Sequence, residues 1–259
     1  MSNIIFYFSG TGNSLKVAKT ISSQLGESEI VSMAKHEKYI VSKEYDSIGF
    51  VFPVYFWGLP KIVIQFAENL DLSKSKNSYY YSIATCGGGE ANSLHQLNEL
   101  LQIHNGVKLN YGSKLIMFSN YVNYYEMKKN VDEITKRSDK NLITIITSIK
   151  NKQSNKIPKW TKIFGLMNKL FIKKVSKMDK NYSVNDNCTV CGICKTVCPV
   201  KNIELENNKP VFNNNCEQCV ACIQYCPAKA LNYKNSTQKR RRYTNPEIDY
   251  KELSNWNKK

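Results

Sequence analysis

"FYFSGTGNSLKVA", residues 6–18, joins three kinds of sequence in one short stretch. The apolar run Ile4 to Phe8 enters it, as expected of a strand covered on both faces. Leu15, Ala18, Ile21 and Leu25 leave it at helical spacing, and Gly26 offers a C-cap. Between them, Ser9 to Ser14 is dense in hydroxyls and backbone N–H groups, immediately before a helix N-terminus. Such a loop gives a dianionic phosphate many neutral donors and the positive end of the helix dipole. The loop is not a Walker loop, because the Gly-Lys-Ser/Thr ending is missing. Gly10 and Gly12 begin a dinucleotide fingerprint, but Leu15 stands where its third glycine belongs.

The pattern repeats outward from this loop. Ser28 to Met33, Ser47 to Val54, Ser78 to Thr85 and Ser113 to Ser119 read as further strands. Pro60 to Asn69 and Glu90 to Ile103 read as helices, the second with Leu94, Leu97 and Leu101 on one side. A helical segment over Met127 to Lys150, broken near Ser138, completes the series. Strands alternating with helices at this spacing predict a doubly wound, five-stranded parallel sheet over residues 1–150. Ligands of such sheets sit beyond the carboxyl ends of the strands, at the switch point.

Two other loops fall at those ends. "PVYFWGLP", residues 53–60, places Pro53, Val54, Tyr55, Phe56, Trp57 and Gly58 after the third strand. "TCGGGEAN", residues 85–92, places Thr85, Cys86, Gly87, Gly88 and Gly89 after the fourth. Aromatic walls and glycine backbone suit a flat ring that the main chain must approach closely. Asn120 and Tyr121, after the fifth strand, border the same place or belong to a loop of surface aromatics. Cys86 is either a ring neighbour or a small buried residue. The first loop, Ser/Thr-x-Thr-Gly-x-Ser/Thr, resembles the flavin mononucleotide (FMN) loop of flavodoxins, with Ser9, Thr11, Gly12, Asn13 and Ser14 matching. The resemblance implies a flavodoxin-like fold and an FMN site built from the three loops. His36, His95 and His104 form no ligand or triad pattern.

The chain carries nine cysteines; Cys86 stands apart and eight lie between Cys188 and Cys226. "CTVCGICKTVCP" (188–199) and "CEQCVACIQYCP" (216–227) are both C-x2-C-x2-C-x3-C-P, and form an internal repeat of 28 residues, Cys188 to Cys216. The pattern is that of bacterial two-cluster ferredoxins, where the fourth cysteine of each run ligates the other cluster. That resemblance assigns Cys188, Cys191, Cys194 and Cys226 to one [4Fe–4S] cluster and Cys216, Cys219, Cys222 and Cys198 to a second. It implies a smaller α+β ferredoxin-like domain over residues 183–235, folding around its metal. Structural zinc and redox dithiols are the alternatives.

Together the two parts resemble the ferrodoxin family, flavodoxin–ferredoxin fusions of anaerobes, over nearly the whole length. "FVFPVYFWGLP", "CEQCVACIQYCPAKAL" and "RRRYTNPEI" look like family segments. The family implies one FMN and two [4Fe–4S] clusters, without fixing a physiological reaction.

The joint, residues 151–182, contains "KIPKWTKIFGLMNKLFIKKVSKM" (156–178). Its apolar residues recur at helical intervals among lysines. One reading is a basic amphipathic helix in peripheral contact with a membrane. The preferred reading is a linker helix packed between two redox domains that must be held close. The formal charge is +16, which favours acidic redox partner proteins such as a ferredoxin, flavodoxin or reductase. "KRRRY" in the basic tail, residues 236–259, is read as part of such a docking surface, since no nucleic-acid recognition fold accompanies it. No apolar run approaches the roughly 18 residues that span a bilayer, and the N-terminus lacks a secretory pattern. A cytoplasmic electron-transfer protein is the expectation. A flavin-dependent reductase fed by the clusters is the alternative.

Overall fold

The computed structural model describes residues 2–35, 38–127, 129–159 and 162–254. His36 and Trp160 therefore lie outside the described residues. The alternation of apolar runs and amphipathic segments folds into strands β1 (Asn3–Tyr7), β2 (Ser28–Ser32), β3 (Ser47–Pro53), β4 (Tyr79–Cys86) and β5 (Tyr111–Ile116). Helices α1 (Asn13–Leu25), α2 (Lys61–Glu68), α3 (Ser93–Asn105) and α4 (Val131–Lys150) intervene or follow. The sheet is parallel, in the order β2-β1-β3-β4-β5. The switch point falls between β1 and β3, which places the loops after these strands beside each other. Central strands are buried on both faces because helices cover both. α4 runs without interruption through Ser138, contrary to the expected break. Ser138 is buried, and the helix continues through it. The adjoining Leu142, Ile145, Ile146 and Ile149 anchor that face in the core.

Beyond α4, the basic joint forms α5 (Lys162–Val175). The cysteine segment then builds β6 (Tyr182–Val184), α6 (Ile193–Thr196), β7 (Ile203–Glu206), β8 (Lys209–Phe212), α7 (Ala221–Gln224) and β9 (Leu231–Tyr233). β6 pairs with β9 and β7 with β8, both antiparallel. The β7–β8 turn is Asn207-Asn208, with φ of 47° and 60°, the left-handed pair that a two-residue hairpin needs. The sequence repeat reappears in the backbone. Left-handed residues Val190, Gly192 and Lys201 recur at Gln218, Val220 and Lys229.

The tail returns to the flavodoxin-like part. Its last helix, α8 (Tyr250–Leu253), is capped by the Asp249 carboxylate, which accepts from Lys251 N and Glu252 N. Ile248 and Leu253 join the core beneath α1.

Candidate functional site

A cavity of about 680 Å3 opens at the carboxyl ends of the strands. Its floor is the loop Ser9–Ser14. Ser9 Oγ accepts from Gly12 N at 3.1 Å, and Ser14 and Thr85 hydroxyls share a bond of 2.8 Å. Asn120 Nδ2 donates to Thr11 Oγ1. Thr11, Asn13 and Ser14 thus present polar atoms at the N-terminus of α1. Pro53 to Trp57, Thr85 to Gly89, Asn120 and Tyr121 form the walls. A Cβ on Gly87 would stand 2.4 Å from Ser119 Cβ, so only glycine lets these two loops meet. Burial pushes the Cys86 thiol, which lines the cavity, up to about 11, with Glu90 adding to the effect.

Gly12 and Gly58 stand behind this wall. Gly12 has φ of 97°, and a Cβ there would lie 2.9 Å from both Asn245 Cβ and Ile248 Cβ. Its place is needed by the tail. Asn245 N donates to Thr11 O at 2.8 Å, and Tyr243 Oη and Asn245 Nδ2 both donate to Asn13 Oδ1 at 3.0 Å. The tail thereby holds the phosphate-type loop from outside. Arg240 and Arg242, expected on a docking surface, turn inward instead. They donate to backbone carbonyls of Val122, and of Thr237 and Leu231.

The loop after β3 is a tight reversal. Tyr55 and Gly58 exchange backbone bonds of 3.0 and 3.1 Å, with Phe56 and Trp57 between them at φ of 44° and 60°. Left-handed backbone at bulky residues is strained and calls for external support. Asn168 of α5 provides it. This residue is 1% exposed, and its Nδ2 faces the carbonyls of Tyr55, Phe56 and Leu59 at 3.1, 3.3 and 3.3 Å. Its Oδ1 accepts from Gln96 Nε2. Gly58 is required because a Cβ would come within 2.5 Å of Asn168 Cγ.

Reasoning from the sequence missed α5 as part of the cavity. Phe164 and Phe171 line it. Phe171 stacks on Phe56 with centroids 4.0 Å apart and planes 11° apart, and Phe164 stacks on Trp57. Their i, i+7 spacing on the amphipathic helix was the available signal, but that face had two eligible partners. Tyr124, Tyr125, Gln218, Cys219 and Val220 also line the cavity. The last three were hidden inside the cysteine motif.

The cysteines gather in two sets. A void is lined by Cys188, Cys191, Cys194 and Cys226. The Cys194 thiol, pushed up to about 11 by burial, feels Cys191, Cys226 and Cys188. Cys222 is raised by burial and then by Cys219, Cys216, Cys198 and Cys194. Cys198 therefore stands with the second run and Cys226 with the first. Cys194 and Cys222 bring the sets together. Among the described residues, no three His, Cys, Asp or Glu side chains gather tightly enough for a single ion. A cubane asks for wider spacing, because each thiolate meets its own iron. Backbone N–H groups of Asn202, Gln218 and Ala230 donate to the sulfurs of Cys198, Cys216 and Cys226 at 3.2, 3.2 and 3.3 Å.

Cys219 is the meeting point of the two regions. It belongs to the second set and lines the 680 Å3 cavity. A Cβ on Gly10 would be 2.5 Å from its carbonyl oxygen. Next to it, buried Glu217 accepts from Ile62 N at 3.2 Å, and burial raises its carboxyl to about 8. Tyr121 Oη and Asn123 Nδ2 donate to Gln218 Oε1 at 3.0 and 3.1 Å.

The family model for the flavodoxin domain matches residues 4–186. That for the 4Fe-4S dicluster domain matches residues 180–227. No curated protein matches the chain. Among solved structures, it is similar to the two-electron reduced flavodoxin of Megasphaera elsdenii. Identity there is 21%, over 55% of this chain and 99% of that one, with a TM-score of 0.36. It is also similar to a flavoprotein in complex with FMN from Lactobacillus acidophilus, at 15% identity, 44% and 92% coverage and a TM-score of 0.31. An FMN-dependent NADH-azoreductase from Bacillus anthracis gives 10%, 57%, 98% and 0.39.

Proposed function

This chain belongs to the flavodoxin domain family, with a 4Fe-4S domain behind it, and from that premise we propose that it passes single electrons within one molecule between an FMN and two [4Fe–4S] clusters. The observation that carries the reading is Cys219, a member of the inner cysteine set that also lines the flavin-sized cavity. FMN supplies a two-electron couple that can be emptied one electron at a time, and each cluster supplies a one-electron couple.

The chain's residues divide the work. Ser9, Thr11, Asn13 and Ser14 hold the phosphate. Tyr55 to Trp57, Gly87 to Gly89 and the α5 phenylalanines enclose the ring. The inner set, Cys198, Cys216, Cys219 and Cys222, stands next to the cavity. The outer set, Cys188, Cys191, Cys194 and Cys226, meets it through Cys194 and reaches solvent at the exposed Cys191. The division into residues 1–150, 151–182, 183–235 and 236–259 is part of this proposal. Anaerobically purified protein is expected to contain about one FMN, eight iron and eight sulfide per chain. Zinc without sulfide, or four iron, would overturn the two-cluster reading.

The partner is an acidic redox protein. α5 shows solvent a second apolar stripe, Ile163, Leu166, Met167 and Leu170, the first 61% and the last 50% exposed. Exposed Lys169, Lys173 and Lys174 flank it, and the helix holds no acidic residue. An apolar centre with a basic rim suits an acidic protein surface, and only this helix separates it from the ring-binding walls. Replacing Lys173 and Lys174 by Gln is expected to slow reduction by an acidic ferredoxin about tenfold at low salt. It should also flatten the salt dependence, with internal electron exchange unchanged. An unaltered rate would move the docking face elsewhere, and flotation of the protein with anionic vesicles would assign the stripe to a membrane surface. Among the described residues no helix is long and apolar enough to cross a membrane.

A further inference from the structure

Arg242 lies where the tail crosses both cysteine sets. Tyr243 N donates to Gln224 Oε1 at 2.8 Å, and Gln224 sits between Cys222 and Cys226 on α7. The chain is thereby stitched above that turn. The guanidinium donates to Leu231 O at 3.0 Å, Thr237 O at 3.1 Å and Asn232 Oδ1 at 3.1 Å. Leu231 itself lines the void of the outer set.

Four of the five guanidinium N–H bonds lie on these two terminal nitrogens. The fifth, on Nε, is buried and meets no acceptor among the described residues. A buried donor left unmade costs about 1–3 kcal/mol, and folded proteins seldom leave one. The charge is half-buried as well, and the groups that act on it are the thiols of Cys226 and Cys222, one from each set. A fixed cation with a spare donor at the junction of two sulfur-rich sites calls for an anionic sulfur acceptor.

We propose that Arg242 is a redox-positioning residue, a half-buried cation whose charge and unpartnered Nε–H favour the reduced form of both clusters. This rests on the two-cluster reading above. The physical reason is elementary. An iron–sulfur cluster with four thiolates carries net negative charge, and each added electron increases it. A nearby positive charge and N–H donor stabilise the more negative state and raise the potential. Because the charges of Cys226 and Cys222 both act on Arg242, the two potentials should move together. The arginine transfers no electron or proton.

The test uses the full chain, purified without oxygen, as wild type, Arg242→Gln, Arg242→Lys and Arg241→Gln. Iron and sulfide are counted first, and then both midpoint potentials are read by EPR during a redox titration. Arg242→Gln is expected to lower both potentials with iron and sulfide unchanged. Arg242→Lys keeps the charge but loses the Nε donor, and should lower them less. Arg241→Gln removes an exposed charge and should leave them in place. Intact clusters with unmoved potentials in Arg242→Gln would overturn the proposal, as would an equal shift in Arg241→Gln. If Arg242→Gln fails to hold its clusters, Arg242→Lys decides by the same criterion. Loss of clusters in both would make Arg242 an assembly residue and also overturn it. Absence of clusters from the wild type would instead refute the two-cluster reading.

Discussion

Replacing Cys219 with serine is expected to halve the iron content, from about eight to about four per chain, while FMN stays bound. Electron exchange between the flavin and the remaining cluster should then fall by orders of magnitude. The argument is positional. Cys219 is 9% exposed, belongs to the set with Cys198, Cys216 and Cys222, and forms part of the cavity wall. The outer void is lined by cysteines that do not touch the cavity. Removing the inner set therefore opens a gap between the two ends. Serine fits the volume of cysteine, so the cavity keeps its shape and its hydroxyl-rich floor. Stopped-flow reduction under strict anaerobiosis, with freeze-quenched EPR, reads the exchange. In the wild type its rate should be independent of protein concentration, because both ends share one molecule. Exchange at an undiminished rate in the variant would show that electrons bypass the inner set. A wild-type rate rising linearly with concentration would refute internal transfer altogether.

Asn168→Leu is the second substitution with a large expected effect. Leucine keeps the branched outline of asparagine, though it is larger, and offers no donor. The carbonyls of Phe56 and Leu59 would lose the amide facing them, as would that of Tyr55, and Gln96 would lose its acceptor. Buried groups left unpaired cost about 1–3 kcal/mol each, and partial relaxation reduces the sum. A stability loss of about 2–4 kcal/mol follows, measured by denaturant unfolding of the anaerobic holoprotein. The reversal at Phe56 and Trp57 would also lose the support that holds its left-handed backbone. FMN affinity should consequently fall about tenfold or more, read by fluorescence titration, with iron content unchanged. Full FMN affinity in this variant would mean that the turn holds itself and that α5 is only a cover.

Much of this was written locally. The strand–loop–helix at residues 6–18 carried the sheet type, because a continuous apolar run followed by helical periodicity has few other solutions. The spacing of the eight cysteines carried the clustered-thiol chemistry, and its 28-residue period returned as matched left-handed residues in the backbone. Crossed ligation by Cys198 and Cys226 was an implication of the resemblance; in the fold, Cys226 lines one void with Cys188, Cys191 and Cys194.

Tertiary structure decided whatever depended on one amphipathic or charged segment choosing among several partners. Phe164, Asn168 and Phe171 obey a helical period, but periodicity says only that a face is buried, not against what. Their packing on the Tyr55–Gly58 reversal was settled by the fit of one amide to three carbonyls. Ser138 looked like a break because serine competes for backbone bonds, yet the neighbouring isoleucines outweighed it. The arginines of the tail read as part of a docking surface. Buried carbonyls of Val122, Leu231 and Thr237 drew two of them inward, because a guanidinium can satisfy several orphan acceptors at once. Nor could residues 243–248 have been placed behind the loop at Ser9–Ser14, more than 200 residues earlier in the chain. Composition and spacing act over a few turns of chain, whereas the satisfaction of buried polar groups is a property of the closed fold.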